Sequence, residues 1–483
     1  MDFIGRAAEL SLLRKRLDRV ISSGSGTAVA LRGRRQVGKS RLVQEFCDQA
    51  GTPYFFFTAT KGASPVESVR EFCLGLRDSS LPGEPDLVPV LDTGSWPDAF
   101  RVLRAALPDS PAIVVLDELP WLAEQDQLFD GALQTAWDRM LSPKPVLMCL
   151  LGSDIHMMER LTAYDQPFFG RADTMALGPL SPAETADALE LADHDAIDAH
   201  LVSGGLPGIL RSWPRRVPAL EFLRSECKDP AAPVFGVPES ALLAEFQSPG
   251  HSRRVLEAVG SGDRTQSAIA AAAGGAQGPL PSGALSPLMR RLVAEKRVLA
   301  VDEPLSTRPG RPALYRIADT NLRLYLAVLR GAHEFARRGQ AAAAYRLIER
   351  RWTSWRGRAV EPLVRHSLER AGAAGALPWP GVEAVGGWWN RQFRPEIDLI
   401  GADRAPIARR VFFAGSVKWL GSPFDDHDLA ELGNAAAAVP GFVPGESGLV
   451  IASRSGVHPS LDARRVDLVW GPGEIVAAWR AGG

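Results

Sequence analysis

The chain has 483 residues, with 55 Lys+Arg against 56 Asp+Glu (formal net charge −1) and 46% hydrophobic against 23% charged residues. At roughly 100–200 residues per domain the length implies three or four domains, and the composition excludes a disordered chain. No run approaches the roughly 18 apolar residues of a membrane helix, no basic-then-apolar leader opens the chain, and Cys47, Cys73, Cys149 and Cys227 fit neither a zinc nor a disulfide spacing. The reading is a soluble cytoplasmic protein with no membrane partner.

In chain order, an amphipathic helix over Ala7–Ser22 leads through a Gly/Ser turn into an apolar strand, Thr27–Arg32. A helix at Arg41–Asp48, strand Tyr54–Thr58 and helices near Pro65–Arg77 and Pro97–Leu107 follow. Ala112–Asp117 and Val146–Gly152 are continuous apolar runs, the pattern of strands buried on both faces. Alternating β and α elements of this kind predict a doubly wound, largely parallel sheet over residues 1–175. Residues 176–247 read as helical, opening on Ser181-Pro182-Ala183-Glu184, a capping box with Pro at the first helical position. Residues 248–330 hold short helices and then two strand-like pieces, and 331–358 form a basic, Ala-rich helical connector. From 359 to 483 the order is helix, three strands (Val382–Gly386, Glu396–Gly401, Arg410–Trp419), helix Asp425–Ala438, and strands Gly448–Ser453 and Val466–Trp470.

The basic residues are unevenly used. Only seven are lysines, and residues 248–360 carry 19 Arg/Lys against 8 Asp/Glu, so a near-neutral total hides one basic segment between acidic flanks. A nucleic-acid-facing module leaves such a pattern.

Gly33-Arg34-Arg35-Gln36-Val37-Gly38-Lys39-Ser40 matches GxxxxGK[ST], with a strand before it and a helix after. Backbone N–H groups of such a loop wrap phosphates, Lys39 reaches the β/γ-phosphates, and the Ser40 hydroxyl ligates Mg²⁺. The expected ligand is ATP–Mg²⁺. The strand Ala112–Leu116 ends in Asp117-Glu118, placing one acid to hold Mg²⁺ and the next to polarise the attacking water. The strand Val146–Gly152 ends in Ser153-Asp154, where Ser153 is positioned to sense the γ-phosphate.

Taken in order, Phe3-Ile4-Gly5-Arg6 with Glu9-Leu10, the loop Gly33–Ser40, Asp117-Glu118-Leu119-Pro120, Gly152-Ser153, Phe169-Gly170-Arg171 and Gly204-Gly205-Leu206-Pro207 resemble the prokaryotic archaeal-type ATPases, of the STAND branch of AAA+-related P-loop NTPases. The resemblance covers essentially the whole chain. It implies that residues 176–247 are a helical lid, that Arg171 faces the γ-phosphate, that Pro207 lies against the adenine, and that Phe3–Arg6 flank the base. From the residues alone, Arg171 is equally a surface arginine and Gly204-Gly205 equally a turn.

Residues 251–318 fit a winged helix-turn-helix, with helices at Ser252–Val259, Thr265–Ala273 and Ser282–Glu295 and a wing from Val298–Asp302 to Ala313–Ile317. Arg290, Arg291 and Lys296 on the third helix and Arg308 and Arg311 at the wing tip are candidates for contact with duplex DNA. In STAND proteins the same module also serves as a hinge or protein contact. A second copy of the chain or another protein is therefore the rival partner.

The resembling family carries a PD-(D/E)xK nuclease-like domain at its C-terminus. The matching positions are Glu361 on the first helix, Glu396 and Asp398 on one strand, and Ser416 with Lys418 on the next. Such sites set carboxylates around Mg²⁺ and a lysine beside the attacking water; alternate strand residues share a face. The family pattern has Glu where this chain has Ser416, which points to a degenerate α/β restriction-endonuclease-like fold. Trp388, Trp389, Trp419, Trp470 and Trp479 read as that domain's core. The sequence thus predicts an α/β multidomain ATPase switch, with an ATP-regulated DNA nuclease and a non-catalytic DNA-binding regulator as alternatives.

Overall fold

The apolar runs pair with one another. The computed structural model describes residues 3–83, 94–164, 166, 168–245, 250–275, 278–310 and 312–480, in two units, Met1–Pro179 and Leu180–Gly483. In the first unit β1 (Thr27–Arg32), β2 (Tyr54–Thr58), β3 (Ala112–Asp117), β4 (Val146–Gly152) and β5 (Ala172–Ala176) form one parallel sheet in the order β2-β3-β4-β1-β5. Every residue of β3 and β4 is buried, as strands sandwiched between helices must be. On one face Phe55, Phe57, Phe72, Trp96, Phe100 and Phe129 stack edge-on in a single cluster. The helix Pro65–Arg77 that supplies Phe72 starts on a capping box between Ser64 and Glu67.

The second unit opens with short helices from Pro182 to Glu245, the first on the Ser181–Glu184 capping box. Helices His251–Ser261, Gln266–Gly274 and Ser282–Arg290 follow, the last continuing as one wide turn over Arg291–Glu295. Then β6 (Leu299–Asp302) and β7 (Leu314–Ile317) pair antiparallel. A 33-residue helix, Ala341–Ala373, runs unbroken across the boundary drawn at 358/359, so the connector and the first helix of the C-terminal region are one element. After it β8 (Ala384–Trp389), β9 (Glu396–Ala402) and β10 (Val411–Lys418) form an antiparallel meander, and β11 (Gly448–Ser453) and β12 (Leu468–Trp470) add in parallel beyond β10. Trp388, Trp389, Trp419 and Trp470 are buried as core, while half-buried Trp479 stacks on His366.

Two links tie this unit together. The segment between β6 and β7 lies on the C-terminal sheet: Leu305 N–H donates to Gly387 O, Thr307 N–H to Pro440 O, and Trp389 Nε1–H to Pro312 O, with Leu305 and Ser306 1% exposed. In the interior, Arg356 donates to Asp198 Oδ2 (2.8 Å) and to Trp419 O (3.2 Å), and Arg454 approaches the same carboxylate. No helix among the described residues is long and apolar enough to cross a membrane.

Candidate nucleotide site

The loop leaving β1 is shaped by close backbone approach. A Cβ on Gly33 would stand 2.4 Å from Leu177 O, so only glycine fits there. Gly38 (φ 95°) and Gln36 (φ 66°) take left-handed conformations that fold the chain back over itself. The helix Lys39–Ala50 then begins without a side-chain cap, leaving its first N–H groups for an anion.

Lys39 is buried, and its ammonium donates to Gly33 O (2.8 Å) and Arg34 O (3.1 Å). Burial lowers its pKa, opposed by the charges of Glu118 and Asp117. Asp117, buried at the end of β3, is raised by burial, opposed by a hydrogen bond from Ser40 and reinforced by Glu118. Glu118 sits in the left-handed region (φ 53°, ψ 42°), which turns its side chain off the strand direction. Ser153 Oγ donates to both its oxygens, at 2.7 and 2.6 Å. Phosphate loop, Asp117, Glu118 and Ser153 are therefore brought together at the carboxyl ends of β1, β3 and β4. Asp154 instead caps the next helix through Met157 N–H, and Arg35 lies 5.7 Å over the Trp121 ring.

Arg6, which the resemblance sets beside the base, bridges the phosphate loop and the chain beyond β5. It is 4% exposed, and its guanidinium donates to Val37 O within the loop (3.0 Å) and to Gly178 O beyond β5 (2.6 Å).

Arg171 does not join the site. It directly precedes β5, whose Ala172 pairs with Ala28 at the start of β1, whereas the phosphate loop leaves the other end of that strand. At about 3.3 Å per residue the two edges are roughly 15–20 Å apart. Arg171 forms a two-pronged ion pair with Asp138 (2.8 and 2.9 Å), on the surface edge away from this chain's own loop. Pro207, in the second unit, opens the short helix Pro207–Leu210 after two left-handed glycines, and Gly205 packs so close to Leu180 O that a Cβ would stand 2.1 Å away.

In the C-terminal region Glu396, Asp398 and Ser416 line one cleft of about 490 Å³ together with Asp428, Glu431 and Asn434. Ser416 Oγ (3.2 Å) and Val417 N–H (2.8 Å) both donate to Asp398 Oδ2. Burial raises the pKa of Asp398 and pushes that of Glu361 up to about 7, the latter reinforced by Asp398 and opposed by Arg365. Arg365 donates to Asp398 O (2.8 Å) and Glu361 Oε2 (3.4 Å). Lys418 departs from expectation: it pairs with Asp428 on the helix Asp426–Ala436 instead of pointing at Asp398. The strand spacing could not reveal that acid, which comes from the following helix. This set departs from a catalytic Mg²⁺ site in two ways: the Ser416 hydroxyl stands where the family pattern has a carboxylate, and Lys418 is held by Asp428.

Arg290 and Arg291 are exposed, the latter 3.7 Å from Glu295. Arg308 is exposed too, but it belongs to the docked segment after β6, so the wing is not a free arm. Arg311 lies outside the described residues.

Residues 2–148 match the model of the AAA ATPase domain. This match and the loop geometry agree in giving residues 2–148 the features of an AAA-type P-loop ATPase domain. Residues 325–427 match a second model, described as archaea bacterial proteins of unknown function. Comparison with curated proteins finds no match. Among solved structures, the chain is similar to the Walker-type ATPase of Pyrococcus abyssi (TM-score 0.49, 19% identity, covering 67% of this chain and 96% of that one). It is also similar to the Aeropyrum pernix ORC2 protein in its ADPNP–ADP complexes (0.44, 12%, 71% and 95%) and to ORC1 of the same organism in complex with DNA (0.34, 15%, 68% and 92%).

Proposed function

We propose that this protein is a STAND-type nucleotide switch that binds ATP through Gly33–Ser40 and hydrolyses it with Glu118 as the residue that polarises water. The observation carrying this reading is the buried Lys39 among the loop carbonyls, with Asp117, Glu118 and Ser153 gathered beside it. Lys39 donates to loop carbonyls, and phosphates are stronger partners for its ammonium. The Ser40 hydroxyl beside the Asp117 carboxylate is a hard oxygen pair suited to Mg²⁺, which when bound neutralises phosphate charge. Ser153 orients Glu118, and Arg6 fixes the loop from below.

Residues 251–317 are best read as a winged helix. Three helices followed by an antiparallel hairpin support this. Its docked loop favours a wing with a structural role, leaving the helix over 282–295, with Arg290 and Arg291, as the candidate DNA contact. The order of long helix, three-stranded meander, helix and parallel strand from Ala341 to Ser453 supports a PD-(D/E)xK-like fold, and the pairing of Lys418 with Asp428 argues that it does not cleave. One experiment tests the set: purified protein with ATP and Mg²⁺, with and without duplex DNA, followed for phosphate release and DNA integrity together. Phosphate release with intact DNA supports the switch. DNA cleavage abolished by Asp398→Ala would replace it with the nuclease.

A further inference from the structure

The basic excess of residues 248–360 does not lie mainly on the helix 282–295. Five of its arginines, Arg264, Arg316, Arg323, Arg351 and Arg358, line one cavity of about 250 Å³. They come from four places: the turn after helix His251–Ser261, strand β7, the helix Thr320–Leu324, and one face of the long helix, where Arg351 and Arg358 stand two turns apart.

The neighbouring acids do not balance them. Asp302 is held by Arg316 at 3.0 Å, and Glu396 stands 3.7 Å from Arg264. Glu361, the acid whose charge acts most strongly on Arg323, has its own pKa pushed up to about 7 by burial. Among the described residues Arg323, Arg351 and Arg358 form no ion pair; Arg351 donates only to Ala327 O. Burial lowers the pKa of Arg323 to about 10, opposed by Glu361 and reinforced by Arg316 and Arg264, so it stays charged. Guanidinium groups that line one cavity, with Arg323 desolvated among them, repel one another, a cost that an anion removes. Ser261, Ser354 and Tyr315 add hydroxyls to the same wall.

We propose that this cavity binds a phosphate group, separately from the ATP site. Guanidinium forks match phosphate oxygens in pairs, and the volume, below the roughly 300–1,000 Å³ of drug-sized sites, suits a compact anion and not a whole nucleotide. Two sources share this chemistry: a small polyphosphate, or one phosphate of a nucleic-acid backbone. The proposal does not rest on ATP hydrolysis.

The test uses full-length protein with ADP and Mg²⁺ present throughout to occupy the phosphate loop. Inorganic tripolyphosphate and a short labelled DNA duplex are titrated against the parent, Arg323→Gln, and the double variant Arg351→Gln/Arg358→Gln, whose side chains are exposed. Thermal midpoints check that each variant is folded. Tripolyphosphate or duplex should bind the parent, and the double variant should bind it at least about tenfold more weakly. Tripolyphosphate binding without duplex binding assigns a small ligand; duplex binding that tripolyphosphate displaces assigns a backbone phosphate. A parent that binds neither probe, or a folded double variant that binds both as tightly as the parent, overturns the proposal.

Discussion

The chain offers the same three groups twice, a lysine and two carboxylates: Lys39 with Asp117 and Glu118, and Lys418 with Glu361 and Asp398. In the first set the acids meet hydroxyls, Ser40 on Asp117 and Ser153 on Glu118, and the lysine is cradled by a loop that only glycine at position 33 permits. In the second, Arg365 reaches Glu361 and the backbone of Asp398, burial protonates part of Glu361, and Asp428 takes the lysine. Residue inventory is shared; what differs is whether the neighbours leave charge and lone pairs available to a ligand.

Four substitutions sharpen that contrast. Glu118→Gln should keep ATP binding and lower hydrolysis by about 10²–10⁴-fold, read as phosphate release at saturating ATP; an unchanged rate would move the water-polarising role elsewhere. Glu361→Gln tests the second set through pH. With a folded pKa of about 7 against the ordinary 4.5, Glu361 holds its proton in the native state while the unfolded chain loses it, so stability falls as pH rises through this window. The variant should match the parent below about pH 4 and be more stable above about pH 8, by up to about 3 kcal/mol, in denaturant unfolding. Equal stabilities at both pH values would mean Glu361 is not forced to share its proton. Arg6→Ala removes charged hydrogen bonds to Val37 O and Gly178 O, and should lower the stability of the first unit by about 2 kcal/mol and weaken ATP binding. Ser153→Ala should lower kcat by a few-fold with KM unchanged, since Ser153 orients Glu118 and does not have to bind the phosphates.

Much of the first unit was legible. Strands Thr27–Arg32, Tyr54–Thr58, Ala112–Asp117 and Val146–Gly152 appear at the residues their apolar runs mark, and the loop motif fixes its own context. β5 was not: Ala172–Ala176 is an edge strand with one buried residue and no apolar run, and without it nothing tells at which end of the sheet Arg171 falls. The docked segment was equally hidden, because Leu305-Ser306-Thr307 in a Pro/Gly/Arg stretch has the composition of an exposed turn. The final helix, Pro472–Arg480, begins on Pro472-Gly473 and so carried a turn signal. The basic excess was visible as a count, but its convergence on one cavity depends on helices and a strand far apart in sequence.

The central claim is that Gly33–Ser40 holds ATP, and equilibrium binding of ATP–Mg²⁺ to the parent and to Lys39→Ala tests it most directly. The account predicts saturable one-to-one binding by the parent and loss of about a hundredfold or more in affinity on removing the ammonium from the phosphates. Equal affinity in a folded Lys39→Ala protein would contradict it.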